Sequence, residues 1–202
     1  MKERSILFNG PMVAAILSGG KTQTRRAVKS RFELDYLPLD DEGPIWPHLV
    51  PYSEMLEEEP MDCAYGQPGD RLWVRETWRA FNDGSLYEEN CLQVDYRATP
   101  ASWAKDSKLP WKPSIHMPRW ASRILLEIVS VRVERLQDIS DQDAIAEGIG
   151  LNASAAGVPM TTPVGETMPR AMYRDLWESI NGAGSWDANP WVWKVEFRRI
   201  EA

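Results

Sequence analysis

The sequence predicts a mainly β, α+β domain: a small curled or closed β-barrel with peripheral helices and two long irregular insertions. Three observations lead there. Alternating apolar segments of strand length recur at 71–78, 91–97, 123–136 and 191–200, whereas helical periodicity is confined to short stretches. Strands and helices do not follow one another in the rhythm of a parallel α/β sheet. Two stretches, about 31–67 and 98–122, lose periodicity and are dense in Pro, the second also in Trp.

The elements follow in order. Ser5 to Phe8 reads as a strand, and Asn9-Gly10-Pro11 turns it into a helix from Met12 to Leu17, with Pro11 suited to the first turn. Ser18-Gly19-Gly20 stops that helix, since glycine takes the left-handed conformation of a C-terminal cap without strain. Thr22 to Val28 then leaves as an extended segment. The excursion from 31 to 67 is expected to form a flap or mobile segment, with Glu57-Glu58-Glu59 as a solvated face. Pro68-Gly69-Asp70 turns into a strand from Arg71 to Trp78, and Cys91 to Arg97 is read as its neighbour across Asn82-Asp83-Gly84.

The longest strand signal runs from Arg123 to Leu136. Its apolar phase shifts from Ile124/Leu126/Ile128 to Val129/Val131/Val133, which predicts a bulge near Ser130 where a sheet curls. Ser140 caps a short helix that carries acidic residues in its first turn and ends at Glu147-Gly148. Gly150 to Gly165 is small, polar and read as mobile. Pro169 to Ile180 is amphipathic, with Met172, Tyr173, Leu176, Trp177 and Ile180 on one face. Trp191 to Ile200 closes as a strand with Trp191, Trp193, Val195 and Phe197 on one face. No internal repeat is present.

Composition narrows the function. The 202 residues fit one domain, 1–202, and 43% hydrophobic with 26% charged residues suffices for a core without staples. With 30 acidic and 23 basic residues the net charge is -7, so nucleotide contact must use a local patch, and a small ligand fits better than long RNA. Two Cys (Cys63, Cys91) and two His (His48, His116) match no ligand spacing, so neither a metal nor a cofactor is expected and a reducing cytoplasm is the expected setting. Met1 to Phe8 lacks a signal-peptide core, and no apolar run approaches a membrane span.

The densest chemistry lies in Gly19-Gly20-Lys21-Thr22-Gln23-Thr24-Arg25-Arg26. On an extended segment Thr22, Thr24 and Arg26 share one face, and Lys21 can reach the same cavity from the turn. A desolvated lysine can act as general base, and threonine is a nucleophile once such a base takes its proton. Glu147 and Glu76 are the candidate carboxylates to orient it. Each also has a plain structural reading, Glu147 as a helix surface residue and Glu76 as a partner of Arg75. Trp73, Trp78, Trp111 and Trp120 lie near Arg71, Arg75, Lys112 and Arg119, a pattern that serves base stacking with phosphate contacts or serves a core equally well.

The run Gly20 to Arg26 resembles the signature of the ASCH (activating signal cointegrator homology) family, a PUA-like β-barrel. Gly19, Lys21 and Arg26 fit its Gly-x-Lys-x-x-x-x-Arg motif. Pro68-Gly69-Asp70-Arg71-Leu72, the strand from Arg123, Ala144-Ile145-Ala146-Glu147-Gly148 and the strand from Trp191 match the rest in order, outside the two insertions. The arrangement is also similar to ASCH-like proteins of tailed phages and prophages. One branch, the small bacterial N4-acetylcytidine amidohydrolases, has a Lys-x-x-Thr that falls on Lys21 and Thr24 and a glutamate that falls on Glu147.

That resemblance implies a metal-independent amidohydrolase acting on an N4-acylated cytosine nucleoside or related modified base. Lys21 is then the general base, Thr24 the nucleophile, Glu147 the orienting or relaying carboxylate, and Arg26 the group that holds substrate or oxyanion. Glu76, Trp73, Trp78, Arg75 and Arg119 are the further substrate-binding candidates. The chain departs from the branch by its two insertions, by Arg25 in place of an apolar residue, and by Gly148 after the glutamate. Other members imply two alternatives: a non-catalytic binder of single-stranded or modified RNA or DNA, and a metal-independent ribonuclease.

Overall fold

The computed structural model describes residues 1–28, 63–82, 92–104, 107–149 and 165–200. It also gives the backbone pairings of Leu39–Asp40 with Gly43–Pro44 and of His48–Leu49 with Glu59–Pro60. The flap expected over most of 31–67, its acidic run, and the mobile stretch expected after Gly150 lie outside the described residues.

Ten main elements organise the remainder: β1 (Glu3–Leu7), α1 (Gly10–Leu17), β2 (Gln23–Ala27), β3 (Arg71–Arg75), β4 (Trp78–Asn82), β5 (Leu92–Tyr96), β6 (Leu125–Arg135), α2 (Asp141–Ala146), α3 (Met168–Asn181) and β7 (Trp191–Ile200). Five strands form one sheet in the order β1-β3-β6-β7-β2. The β1/β3 pair is parallel and the other pairs are antiparallel. The fold is therefore mainly β with few helices. Its sheet does not close into a barrel, because β1 and β2 are unpaired edges. α1 connects those edges and drives Val13 and Ile16 into the core beside them, and Arg26 Nη2 of β2 donates to Leu7 O of β1 at 2.7 Å. A side chain thus stands where a closing ladder would run.

The main core lies on one face of the sheet, where Ile6, Leu72, Val74, Leu126, Ile128, Val131, Val195 and Phe197 meet α1. Fully burying each such side chain contributes about 1.5–3 kcal/mol. A bulge keeps this face apolar along β6: the register with β7 shifts between Ile128 and Ser130, leaving Val129 exposed while Ile128 and Val131 both pack inward. The phase shift in the sequence marks this place. A second core packs α2 and α3 on the other side, with Leu136, Ile139, Tyr173, Trp177, Trp186 and Val192. β7 is buried on both faces because it separates the two cores.

One strand differs from expectation. The segment from Arg71 to Trp78 is broken at Glu76-Thr77, and β5 pairs with β4 as a separate two-stranded arm, not with β3. Glu76 is 2% exposed and binds Arg123 through both carboxylate oxygens at 2.9 and 3.0 Å, which draws the chain off the ladder. The described part of 98–122 contains three single turns of 3-10 helix, Ser102–Ala104, Ser114–His116 and Arg119–Ala121, held against this arm. Among the described residues no helix is long and apolar enough to cross a membrane.

Candidate active site

The chain reverses at the end of α1, where Gly19 has φ +79° and the amides of Gly20 and Lys21 both donate to Ala15 O at 2.8 and 3.1 Å. The reversal sets Lys21 in an isolated β-bridge with Glu147, and Thr22 N donates to Ala146 O at 2.9 Å. From the other side, the Ser140 hydroxyl caps α2 by accepting from Asp143 N, and Glu147 is the C-cap. Gly148 follows with φ +90°, and a Cβ there would lie 2.9 Å from Ala15 Cβ and 3.3 Å from Lys21 Cβ. Only glycine lets the two segments approach so closely.

Lys21 Nζ donates to Glu147 Oε2 at 2.6 Å and to Glu147 main-chain O at 2.9 Å. The two residues are 2% and 4% exposed. Burial lowers the Lys21 pKa below its ordinary 10.5; Glu147 opposes the shift, and Arg26 and Arg25 add to it. Arg25 fastens the carboxylate from the far side, Nη1 donating to Glu147 Oε1 at 3.3 Å and Nε to Glu134 Oε1 at 2.7 Å. Its Nη2 sits at ion-pair distance, 2.6 Å from Glu134 and 3.1 Å from Asp143, without a well-directed hydrogen bond. Burial works against the charge of Arg25, and Glu134 and Glu147 raise its pKa nonetheless.

Asp143 accepts from Lys194 Nζ at 2.7 Å and from Gln23 Nε2 at 3.1 Å. Partial burial alone would raise its pKa, but those hydrogen bonds and Arg25 hold it far below 3.8. The result is a continuous charge network across β2, α2, β6 and β7, buried at Lys21, Arg25, Glu147 and Lys194 and partly exposed at Glu134 and Asp143.

Thr24 is 2% exposed, and no hydrogen bond occupies its hydroxyl among the described residues. It lines a cavity of about 50 Å³ together with Arg25, Glu147 and Tyr173. Beside this lies a cleft of about 770 Å³ lined by Phe8, Pro11, Glu76, Thr77 and Arg97. Met12, Arg26 and Ile180 line both, so the two spaces share a wall. Arg26 stacks over the Phe8 ring at 5.4 Å, and its buried Nε has no partner.

Glu147, Thr24 and Arg26 thereby line one cavity, while Lys21 pairs with Glu147 and itself lines neither space. Glu76 lines the cleft, but Arg123 occupies its carboxylate. The structure brings the remaining candidates to neither cavity. Trp73 and Arg75 occupy the face of β3 opposite the core, where Arg75 lies over the Trp73 ring at 5.5 Å and donates to Ile115 O. Trp78 is buried with Met117 and Ala121 and meets Trp120 edge-on at 5.7 Å. Arg119 forms a two-point ion pair with Glu3 at 2.9 Å.

Sequence reasoning missed Arg25, Glu134, Asp143 and Tyr173. For Arg25 the signal was a cation on the strand face opposite Thr24, a place where burial demands carboxylates. For Tyr173 it was a hydroxyl on an otherwise apolar helix face.

No protein-family model and no curated protein matches the chain. Among solved structures it is similar to an ASCH domain from Lactobacillus crispatus JV V101, at 13% identity and TM-score 0.42, over 100% of this chain and 81% of that one. It is also similar to protein EF3133 from Enterococcus faecalis V583, of family model DUF984, at 10% identity and TM-score 0.38, over 100% and 81%.

Proposed function

We propose that the chain is an amidohydrolase of ASCH type that removes an acyl group from the exocyclic amine of a cytosine nucleoside or a related modified base. The observation that carries this reading is the valence of Lys21 Nζ. A neutral lysine has two N–H groups and one lone pair, and Glu147 accepts from Nζ at two places, Oε2 and the main-chain oxygen. The lone pair is left for another proton. Burial favours that neutral form, and the Thr24 hydroxyl stands without a partner on the cavity that Glu147 lines.

The steps balance without a further reagent. The Thr24 hydroxyl proton passes to Lys21 Nζ as Oγ1 bonds to the acyl carbon and the carbonyl pair moves to oxygen. The pair returns, the C–N bond breaks, and the amine leaves with the proton from Lys21. Water then attacks the threonyl ester, its proton passing to Lys21, and the ester bond breaks with the proton returning to Oγ1. The net change is amide plus water to carboxylic acid plus amine. Glu147 holds Lys21 in place throughout, and the free Nε of Arg26 is a donor on the wall that both cavities share.

Release of cytidine from N4-acetylcytidine is the assay. Lys21→Met and Thr24→Ala are each expected to lower kcat by at least about 10³-fold, in line with loss of general-base and nucleophile function. Turnover rises with pH as Lys21 loses its proton, with an inflection below 10.5. Activity retained in Lys21→Met overturns the mechanism. The binder reading draws less support, because Trp73 and Trp78 line neither cavity. Salt-dependent oligonucleotide binding without turnover of any acylated nucleoside would restore it.

A further inference from the structure

Around the Lys21–Glu147 pair Arg25 Nη2, Arg26 Nε and Trp177 Nε1 are enclosed without a hydrogen bond, and two side-chain hydroxyls make none with any described residue. Thr24 is one, and its use is given above. The other is Tyr173, which is 3% exposed and makes no hydrogen bond with any described residue. Its hydroxyl is not among the enclosed atoms that lack a partner, so it opens onto accessible space where a ligand can meet it. Tyr173 lines the same 50 Å³ space as Thr24 and Glu147. Its ring is fixed by Trp177 and Trp186, with centroids at 6.4 and 6.3 Å, so the hydroxyl is presented by a rigid helix.

We propose that this cavity is the acyl subsite and that Tyr173 donates its O–H to the acyl carbonyl oxygen as Thr24 attacks. The inference rests on the amidohydrolase reading and adds to Arg26 a second, neutral donor for the oxyanion. Burial, then Glu147, push the Tyr173 pKa well above 10.0, so the hydroxyl keeps its proton across the working range and serves as donor, not as base. No atom is transferred in this step: the hydrogen bond strengthens as the carbonyl oxygen gains charge and relaxes when the C–N bond breaks. Met12, Ala27, Leu176, Trp177 and Ile180 give the cavity apolar wall, and Arg25, Arg26 and Asn181 complete it. A water needs roughly 10–15 Å³ of such space, so 50 Å³ takes a group of acetyl or propionyl size and rejects a benzoyl ring.

The test is Tyr173→Phe in the full chain, assayed on N4-acetylcytidine beside wild type, with wild type also assayed on the N4-propionyl and N4-benzoyl analogues. Phe fills the same volume. A fall in kcat of about 10²–10³-fold is expected, as when an oxyanion-hole donor is removed, with KM within about threefold. Tm should hold or rise, because the lost hydroxyl satisfied nothing in the fold, and the benzoyl analogue should be turned over at least about 10-fold more slowly than the acetyl one. Activity of Tyr173→Phe within about threefold of wild type overturns the proposal, and with Lys21→Met inactive beside it the amidohydrolase reading survives. A loss of activity accompanied by a lower Tm assigns Tyr173 a structural role and also overturns it. If wild type hydrolyses no acylated nucleoside, the reading itself fails and takes this inference with it.

Discussion

Two buried ion pairs, Arg79–Asp95 in the β4–β5 arm and Lys21–Glu147 at the end of α2, look alike in the degree of burial and differ in what surrounds them. Arg79 donates to Asp95 Oδ2 at 2.9 Å and to the carbonyls of Ala104, Ser107 and Leu109 at 2.7, 3.1 and 3.3 Å, and it lies over the Trp111 ring at 4.2 Å. Asp95 Oδ1 accepts from the amides of Tyr96 and Ala101 at 3.0 and 2.8 Å. This pair's hydrogen-bonding groups are engaged in fastening Ala101, Ala104, Ser107 and Leu109 to the arm. The Lys21–Glu147 pair is held as firmly, yet Thr24, Tyr173 and Arg26 Nε stand beside it unmet. Saturation marks a clamp, whereas open polar groups beside a rigid charge pair are what the proposed site offers to another molecule.

The sharpest way to break the comparison is to cut both pairs. Arg79→Met leaves Asp95 buried and frees three carbonyls, and it should lower stability by about 3–5 kcal/mol in urea titration. Lys21→Met should cost less than half of that, because Arg25 still binds the Glu147 carboxylate. Equal losses would erase the distinction. A smaller effect is expected from Gly148→Ala, which forces a left-handed φ of +90° and a 2.9 Å contact on a methyl group. A loss of about 1–3 kcal/mol by the same titration should accompany a fall in turnover, as Glu147 is pushed from Lys21. Unchanged turnover would mean that the close approach of these segments is dispensable.

The smallest effect is on the acid side. Asp143 and Glu196 have pKa values below their ordinary 3.8 and 4.5. Groups depressed in the fold stabilise it fully above the unfolded values, and the contribution is lost as pH falls through the folded ones. Tm measured from pH 6 to pH 3 should therefore drop below about pH 4.5, near the unfolded carboxylate values, and Asp143→Asn should flatten part of that drop. An undiminished drop in the variant would remove Asp143 from the account.

Legibility in the sequence followed the range of the interactions. The Gly19 cap, the Ser140 cap, the β6 bulge and the extent of β7 depend on neighbours within a few residues, and the pattern shows each of them. The break at Glu76 does not show, since it depends on Arg123, far along the chain. For the same reason Arg25 reads locally as one more cation. The tryptophans were ambiguous because alternation tells which residues share a face and not which face meets a cavity: Trp73 fell on the side away from the core, and Trp78 fell inside a separate cluster.

The placement of β2 at the edge of the sheet has a temporal consequence. Among the described residues its ladder partner is β7 alone, with Thr24 opposite Val195. Thr24 and its partner Val195 lie far apart in the chain, so during synthesis the strand that carries Thr24 waits for Trp191–Ile200 before it can enter the ladder described here. The proposed site is therefore incomplete until β7 docks between β6 and β2.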